Sequence, residues 1–518
     1  MQKQNDTRSW LALAARCIGV FMSLLDVTIV NVALPTIQKD LHDSFSDAQW
    51  IISGYTLAYA SILLFASKIG DLFGRKKIFM LELLIFTLGS LGSALSQTAW
   101  QLNFFRVIQG IGGAGVMSLS MTIIATLFPP QKRGIAFGIW SSVVGFATAI
   151  GPLVGGFLVQ QISWRAIFMI NLPIGVLALI ISAVTVGESQ VEQAGKIDWA
   201  GMVISIAMVF CLIFGLVQKE NHLEWTWSNP HVLGYLLSSL ILLVAFIVLE
   251  SRLEFPMLEL AIFKSSAFVG TAVAGFCLGA SLYGFFVYLT VWMQDYLGYT
   301  AIQTGIRQLA ISLFSLFLGP LIGIFSNRVP KKWLISAGLM LIALGMGVIL
   351  NVVSIHVVFG DFVIGFMLLG IGNAVINPPL STAAMESVKP QYIGMASGTV
   401  NVFRQLGISF GVVILGLGLN EGYKYQLTRS ISSLNLPTQI KTKLSTGFSE
   451  AGPLAGNSVL KGVKSYFEKY QVDPHVFQQL TKGIFAAYNH GYRNVLLLCI
   501  SMAVIGAAGS LILTKRKK

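Results

Sequence analysis

The chain has 518 residues, of which 55% are hydrophobic and only 11% are charged, and its formal net charge is +13. A soluble domain carries about 25% charged residues, so this composition excludes a water-facing globular surface and predicts a polytopic membrane protein. The four cysteines all fall in apolar segments, which predicts neither a disulfide framework nor a metal site.

Apolar runs long enough to cross a bilayer recur along the whole chain, since a membrane helix takes about 20 residues. The first run is too long for a cleaved signal sequence and is expected to stay as an anchor. The approximate limits of the fourteen runs are 10–35, 48–69, 77–97, 101–128, 134–159, 165–187, 199–218, 231–250, 265–291, 302–326, 332–353, 358–384, 394–419 and 490–514.

The basic residues are distributed unequally between the two sides of the predicted membrane. An even number of helices places both termini on one side, and the tails and short loops of that side carry nineteen Lys and Arg residues. The opposite short loops carry three, Lys39, Arg165 and Lys219. Because basic loops stay inside, both termini are predicted to be cytoplasmic, and the positive charge is explained without a nucleic-acid partner.

The two halves of the chain repeat each other at a shift of 260 residues without gaps. The matches include Gly110 with Gly370, Thr122 with Thr382, Pro130 with Pro390, Gly134 with Gly394 and Gly151 with Gly411. The repeat predicts a six-helix bundle at 1–190, a linker with two extra helices at 191–262 and a second six-helix bundle at 263–518. Duplicated bundles with a site between them are a transporter architecture.

A long polar stretch, 420–489, separates the last two predicted helices on the outer side. It is predicted to be a solvated loop, or alternatively a lid or vestibule over the outer face. Short amphipathic helices are possible near 457–470 and 474–488.

One carboxylate lies well inside the first apolar run. An Asp at the centre of a membrane helix costs roughly 2.5–3.5 kcal/mol on insertion scales, so Asp26 must be compensated by a proton or a cation. The rest of the chain is interpreted as the apparatus that controls access to Asp26.

The segment after the second run contains Gly70, Asp71, Gly74 and Arg75, followed by two lysines. Its glycines permit a tight turn, Asp71 can cap a helix or pair with a cation, and the basic residues suit an anionic lipid surface. The segment resembles the motif between helices two and three of the major facilitator superfamily. That resemblance implies that the segment holds the cytoplasmic side of the protein closed in the outward-facing state. The equivalent segment of the second half, 323–332, is a degenerate copy without the acid.

Arg106 opens an Arg-x-x-Gln-Gly sequence in the fourth apolar run. A buried Arg is expensive and should face a cavity or a partner, although it could instead extend to the outer interface. The sequence is similar to the helix-four motif of the superfamily, which implies a role for Arg106 in proton transfer.

The fifth run combines small residues with a proline, at Gly145, Gly151, Pro152, Gly155 and Gly156. Small residues allow close helix packing, and Pro removes a backbone hydrogen bond and bends the helix. This pattern resembles the antiporter motif of drug exporters, from which Ala147 departs because the family usually has glycine there.

Four segments in combination are similar to the fourteen-helix drug:proton antiporters: 25–35, which includes Asp26, and 164–175, 294–299 and 403–407. The resemblance covers the chain except 420–489. It implies an all-α major facilitator fold and proton-driven export of bulky, often cationic, amphipathic compounds.

Other charges fall inside the predicted helices. Glu82 is expected to pair or to extend to the interface, with substrate contact as the alternative. Glu386 could bind a cationic drug or a proton, or cap a helix end, and Glu82 and Glu386 are the acids to test for capture from the cytoplasm. Arg307 and Arg404 could be structural residues or coupling partners.

The expected mechanism is alternating access, in which a cavity between the halves has Asp26 as its acidic floor. Protonation of Asp26 from outside releases a cation, and loss of the proton inward resets the site. Aromatic residues could line this cavity, among them Phe21, Tyr55, Phe276, Tyr283 and Phe286.

Two other functions stay open: export or flipping of an endogenous lipid, metabolite or peptide, and nutrient:proton symport, which the helix-five pattern disfavours. With no plausible catalytic dyad or phosphate loop, an enzyme is disfavoured, and no cofactor is expected. The expected partners are an amphipathic small molecule, protons and the lipid bilayer. The chain is predicted to act as a monomer in a bacterial inner membrane.

Overall fold

The computed structural model describes residues 2–41, 45–185, 198–222, 224–326, 328–354, 357–434, 436–453, 460, 462–464 and 474–513. These ranges are almost entirely helical and contain no strand. An all-helical chain fits a bilayer because a helix satisfies its own backbone hydrogen bonds where no water is present.

The first nine helices form eight spans. Their bounds are α1 Gln2–Leu41, α2 Phe45–Phe73, α3 Arg75–Leu95, α4 Ala99–Leu127, α5 Pro130–Gln161, α6 Ala166–Met169, α7 Asn171–Thr185, α8 Trp199–Asn221 and α9 Pro230–Glu250. The number of spans is one lower than the number of helices because α6 and α7 belong to the same span. We call the face at Gly74 and Pro130 the near face, and the opposite face, at Leu41 and Ala99, the far face.

The remaining helices begin at residue 266. Their bounds are α10 Ser266–Leu278, α11 Gly284–Val291, α12 Ala301–Phe325, α13 Lys331–Val352, α14 Phe359–Glu386, α15 Ile393–Ser432, α16 Thr438–Ala451 and α17 Pro474–Leu513. Two π-helical turns, Gly279–Tyr283 and Trp292–Tyr296, extend α10 and α11 into one span. We refer to α1–α7 as the N-terminal half and to α10–α17 as the C-terminal half.

Among the described residues, thirteen helical segments are long and apolar enough to cross a membrane, and α5, bent by 41° between Thr148 and Ile150, makes a fourteenth. The predicted number of spans is therefore confirmed. Local signals set several boundaries: the Thr98 hydroxyl accepts from the Gln101 amide to begin α4, and Thr300 and Gln303 form a capping box at α12.

The prediction of one long polar loop at 420–489 is wrong in its extent. Helix α15 continues to Ser432, and the last span begins at Pro474, so that 474–488 is part of a 40-residue helix. Between them, α16 contributes Phe448 to the buried cluster of the C-terminal half. Most of the amphipathic stretch predicted near 457–470 lies outside the described residues.

Helices α5 and α12 join the two halves along their whole length. A Cβ at Gly138 would lie 2.5 Å from the carbonyl oxygen of Gly319, and one at Gly156 would lie 3.1 Å from Ala301 Cβ. Only glycine leaves enough room for two helix backbones to approach this closely. The pair therefore forms the main seam between the halves.

Candidate functional site

A cavity of about 1610 Å³ lies between the two halves. Its walls come from the parts of α1, α2, α8, α11 and α15 that are closer to the far face, and α16 contributes Ser445 and Ser449 at the rim. The cavity therefore reaches from the middle of the molecule towards the far face.

The near face is closed by contacts between the halves. The Ser397 hydroxyl of α15 donates to the Ser118 carbonyl of α4 at 2.9 Å, and the Ser142 hydroxyl of α5 donates to the Ser315 carbonyl of α12 at 2.9 Å. The tight seam at Gly138 lies at the same level. Closure at the near face and a cavity towards the far face define one end state of an alternating-access cycle.

Asp26 lies inside the N-terminal half and is 1% exposed. Arg106 of α4 forms a buried ion pair with its Oδ2 atom. Its Oδ1 atom accepts from Gln109 Nε2 at 2.8 Å and from Asn171 Nδ2 at 2.9 Å. A guanidinium and two amides thus compensate the buried carboxylate, as a charge in the membrane interior requires.

Arg106 connects this cluster to α2. Its Nε donates to the Ile51 carbonyl at 3.1 Å, and its guanidinium carbon lies 4.2 Å from the centre of the Tyr55 ring. Arg106 is 1% exposed, so it does not extend to the outer interface. One side chain therefore links α1, α2 and α4.

The expectation that Asp26 forms the floor of the cavity is wrong for this structure. Tyr55 lines the cavity, whereas Asp26, Arg106 and Gln109 do not. The ion pair lies behind the cavity wall, because α1 turns Asp26 towards α4 and α7 rather than towards the C-terminal half.

The two other predicted acids lie away from the cavity. Glu82 is 7% exposed, at the interface of α3 and α4, where it occupies space left by Gly115, and its Oε2 has no hydrogen-bond partner in the part of the chain described. Glu82 therefore neither pairs there nor extends to the interface. Glu386 ends α14 at the near face and forms an ion pair with Lys331.

The two predicted cations differ in position. Arg404 lines the cavity, is 8% exposed and donates to Asn401. Arg307 lies outside the cavity, where its guanidinium stacks 3.9 Å from the centre of the Tyr299 ring and donates to the Gln303 carbonyl. The structure brings neither into contact with Asp26.

The helix two–three segment joins the halves at the near face. Gly74 has φ 103°, a conformation that favours glycine, and it permits the turn between α2 and α3. Asp71 accepts from Arg75 Nε at 2.8 Å, and its carboxylate fills the space beside Gly394, in the first turn of α15. A helix N-terminus attracts an anion, so Asp71 stabilises the contact between α2 and α15.

The helix-five pattern faces two neighbours. The Thr28 hydroxyl of α1 occupies the space beside Gly151, and a Cβ at Gly155 would lie 3.3 Å from Ile29 Cα. Gly156 faces α12, and Pro152 lines the cavity. The small residues therefore allow α5 to pack between α1 and the C-terminal half.

Aromatic residues line much of the cavity. Of the predicted set, Tyr55, Tyr283 and Phe286 are in its wall, whereas Phe21 stacks on Phe146 and Phe276 packs against Phe410. Trp50 and Tyr59 also line the cavity, although the sequence did not single them out.

Sequence reasoning missed two partners of Asp26. Gln109 belongs to the Arg-x-x-Gln-Gly sequence, which could have indicated it. Asn171 begins α7 and also donates to the Ser90 hydroxyl at 3.0 Å. Its position within the matching segment 164–175 was the available signal, but neither spacing nor composition relates α7 to α1.

An all-helical, multi-pass membrane protein with a cavity between its two halves has the architecture of a secondary transporter. The sequence matches the Major Facilitator Superfamily over residues 16–412, and the chain belongs to this superfamily. Solved structures agree on the fold. The human organic anion transporter MFSD10 (TETRAN) superimposes with a TM-score of 0.60 at 13% identity, covering 96% of this chain and 99% of that one. The proton:xylose symporter XylE gives 0.59 at 14% identity, covering 97% and 95%.

Sequence relatives are named for resistance and export. The Tetracenomycin C resistance and export protein of Streptomyces glaucescens is 33% identical over 411 residues, covering 79% of this chain and 76% of the relative. The Multidrug resistance protein Stp of Mycobacterium tuberculosis is 32% identical, covering 78% and 75%. Multidrug resistance protein 3 of Bacillus subtilis is 28% identical, covering 80% and 81%.

Proposed function

We propose that the protein is a proton-coupled efflux transporter that exports amphipathic, often cationic, drugs or toxic compounds by alternating access. The names of its relatives support export of such compounds. The observation that carries the proton coupling is the buried Asp26–Arg106 pair directly behind the aromatic cavity wall.

The basic residues support a near face in the cytoplasm, with both termini there, in the inner membrane of a bacterium. The near face is then the closed side, and the cavity opens outward. Two six-helix bundles at 1–190 and 263–518, with the helix pair of 191–262 between them, would move against each other. Because the cavity is formed within one chain, the transporter is proposed to act as a monomer.

The proposed coupling is indirect, since Asp26 does not line the cavity. A proton on Asp26 removes the negative charge that holds Arg106. Arg106 also bonds Ile51 and stacks on Tyr55, so the loss of its partner changes the position of the α2 wall. Substrate leaves outward when the proton binds, and the site resets when the proton is lost to the cytoplasm.

Asp26→Asn tests the proposal. We expect the variant to insert normally and to lose dye efflux driven by an imposed pH gradient. Asp40→Asn is the matched control, because Asp40 is on the same helix but pairs with Arg165 and Trp164 away from the site. Undiminished gradient-driven efflux by Asp26→Asn would contradict the proposal. A drug-susceptibility panel with and without expression identifies the compounds.

One observation favours a second candidate, export of an endogenous metabolite or lipid with an acidic group. Arg404 presents a guanidinium to the cavity, where a cation would be repelled and an anion attracted. If this candidate is correct, Arg404→Gln lowers transport of an anionic compound and leaves that of a cationic compound unchanged. If Arg404→Gln leaves transport of the anionic compound unchanged, export of an acidic metabolite or lipid through this site is excluded.

A further inference from the structure

The charged groups in the cavity wall differ from those that the sequence indicated. Among the described residues, its acidic lining consists of Glu220, Glu224 and Asp295. Glu224 lies at the rim, where it is 64% exposed and pairs with His222 at 3.3 Å. Glu220 is half-buried in the last turn of α8 and forms no hydrogen bond or ion pair with any described residue.

Helix α8 reaches the cavity because it packs beside α2 and α15, which form two of the cavity walls. Glu220 interacts electrostatically with Tyr288, whose hydroxyl donates to the Val412 carbonyl of α15 at 2.6 Å. Both Glu220 and Val412 line the cavity, so the carboxyl group lies near the level of Val412.

The two cationic side chains of the wall are distant from that level. Arg404 precedes Val412 by eight residues and Lys424 follows it by twelve, and both lie on α15. At 1.5 Å per residue, Arg404 lies about 12 Å closer to the near face than Val412 does, and Lys424 lies about 18 Å further towards the far face. Neither cation is placed to pair with Glu220, so its carboxyl group has no cationic partner among the described residues and is available to a ligand.

We propose that Glu220 is a cation-recognition site contributed to the cavity by α8, and that it holds monovalent organic cations with an aromatic or aliphatic body. The charge attracts the cation, and the aromatic wall, which includes Trp50, Tyr283 and Phe286, packs against its body. The inference rests on the proposed export function and assigns part of its specificity to α8, which lies outside the repeat.

Binding of tetraphenylphosphonium to the purified full chain in nanodiscs tests the site without requiring transport. We expect Glu220→Gln to raise the Kd about tenfold, as the loss of one charge beside the ligand predicts, and Glu220→Asp to bind nearly as the wild type does. Glu254→Gln is the matched control, because it removes the same charge from an exposed near-face segment. Equal Kd values for the wild type and Glu220→Gln, or no binding by the wild type, would overturn the proposal.

A chemical rescue keeps the test independent of how Glu220→Gln folds. In a background without the four native cysteines, Glu220→Cys is modified with a sulfonate-bearing or a trimethylammonium-bearing methanethiosulfonate. The sulfonate should restore tetraphenylphosphonium binding and the ammonium should not. Equal tetraphenylphosphonium binding after both modifications would show that the charge at position 220 does not determine binding. If tetraphenylphosphonium binding depends on Glu220 but no imposed pH gradient drives efflux, proton-coupled export is refuted and the cation-binding site is retained.

Discussion

The seam between α5 and α12 gives a quantitative prediction for Gly138→Ala. The added Cβ would lie 2.5 Å from the carbonyl oxygen, 2.8 Å from Pro320 Cα and 3.0 Å from the carbonyl carbon of Gly319. All three are backbone atoms of the Gly319–Pro320 peptide unit, and none can rotate away as a side chain would. The two helices must therefore separate.

The required displacement follows from the geometry. Ordinary contact begins at 3.4 Å, so the shortest distance, now 2.5 Å, must increase by about 0.9 Å. Overpacking of this kind costs about 1–3 kcal/mol. The cost applies only while the near face is closed, so it favours the state that is open at the near face by about 5- to 150-fold.

Accessibility of a single cysteine measures this shift. Ser53 lines the cavity. In the proposed orientation, Ser53→Cys in a cysteine-free background reacts with a membrane-impermeant maleimide added from outside. Gly138→Ala should lower the labelling rate, with about 5- to 150-fold as the upper limit, because the rate follows the fraction of molecules that are open to the far face. Gly347→Ala is the control, because no atom lies within 4 Å of its added Cβ and it reports only the helix preference of Ala. An unchanged labelling rate in folded Gly138→Ala would refute the reasoning.

Three further substitutions probe the site and its surroundings. Asn171→Leu removes a 2.9 Å hydrogen bond to Asp26 and should lower the free energy of unfolding by about 1–3 kcal/mol, measured by thermal unfolding. It should also reduce efflux driven by a pH gradient. If both stability and efflux are unchanged, Asn171 does not position Asp26. Gly74→Ala places a Cβ at φ 103° and should cost about 1–3 kcal/mol, measured as a fall in the unfolding temperature. Glu386→Gln breaks a partly exposed ion pair with Lys331, so we expect a change below about 1 kcal/mol and retained efflux, and loss of efflux would restore Glu386 as a capture group.

The sequence by itself determined the membrane spans and the conspicuous charges. A membrane helix is a local property, since an apolar run of sufficient length must form its own hydrogen bonds in lipid. Asp26 and Arg106 stood out because each is expensive in hydrocarbon without a partner. The repeat indicated where the two halves begin, and the resemblance indicated the fold that the structure shows.

The sequence could not determine how far the helices extend beyond the membrane. Residues 420–432 and 474–488 are polar, so a hydropathy criterion ends both spans too early. They are helical because α15 and α17 pack against each other there and bury Tyr423, Leu427 and Tyr488. This stabilisation comes from tertiary contacts, which a local window of sequence does not contain.

Only the tertiary structure decided which way each buried charge points. Helices that are apolar on all sides carry no strong periodic signal, so their rotation is set by packing against neighbours. That rotation directs Asp26 towards Arg106, Gln109 and Asn171 instead of the cavity. It also directs Glu220, which the sequence placed just beyond a predicted helix end, into the cavity wall. The acid that the sequence indicated as the floor of the cavity thus lies behind its wall, and an acid that it passed over lines the cavity.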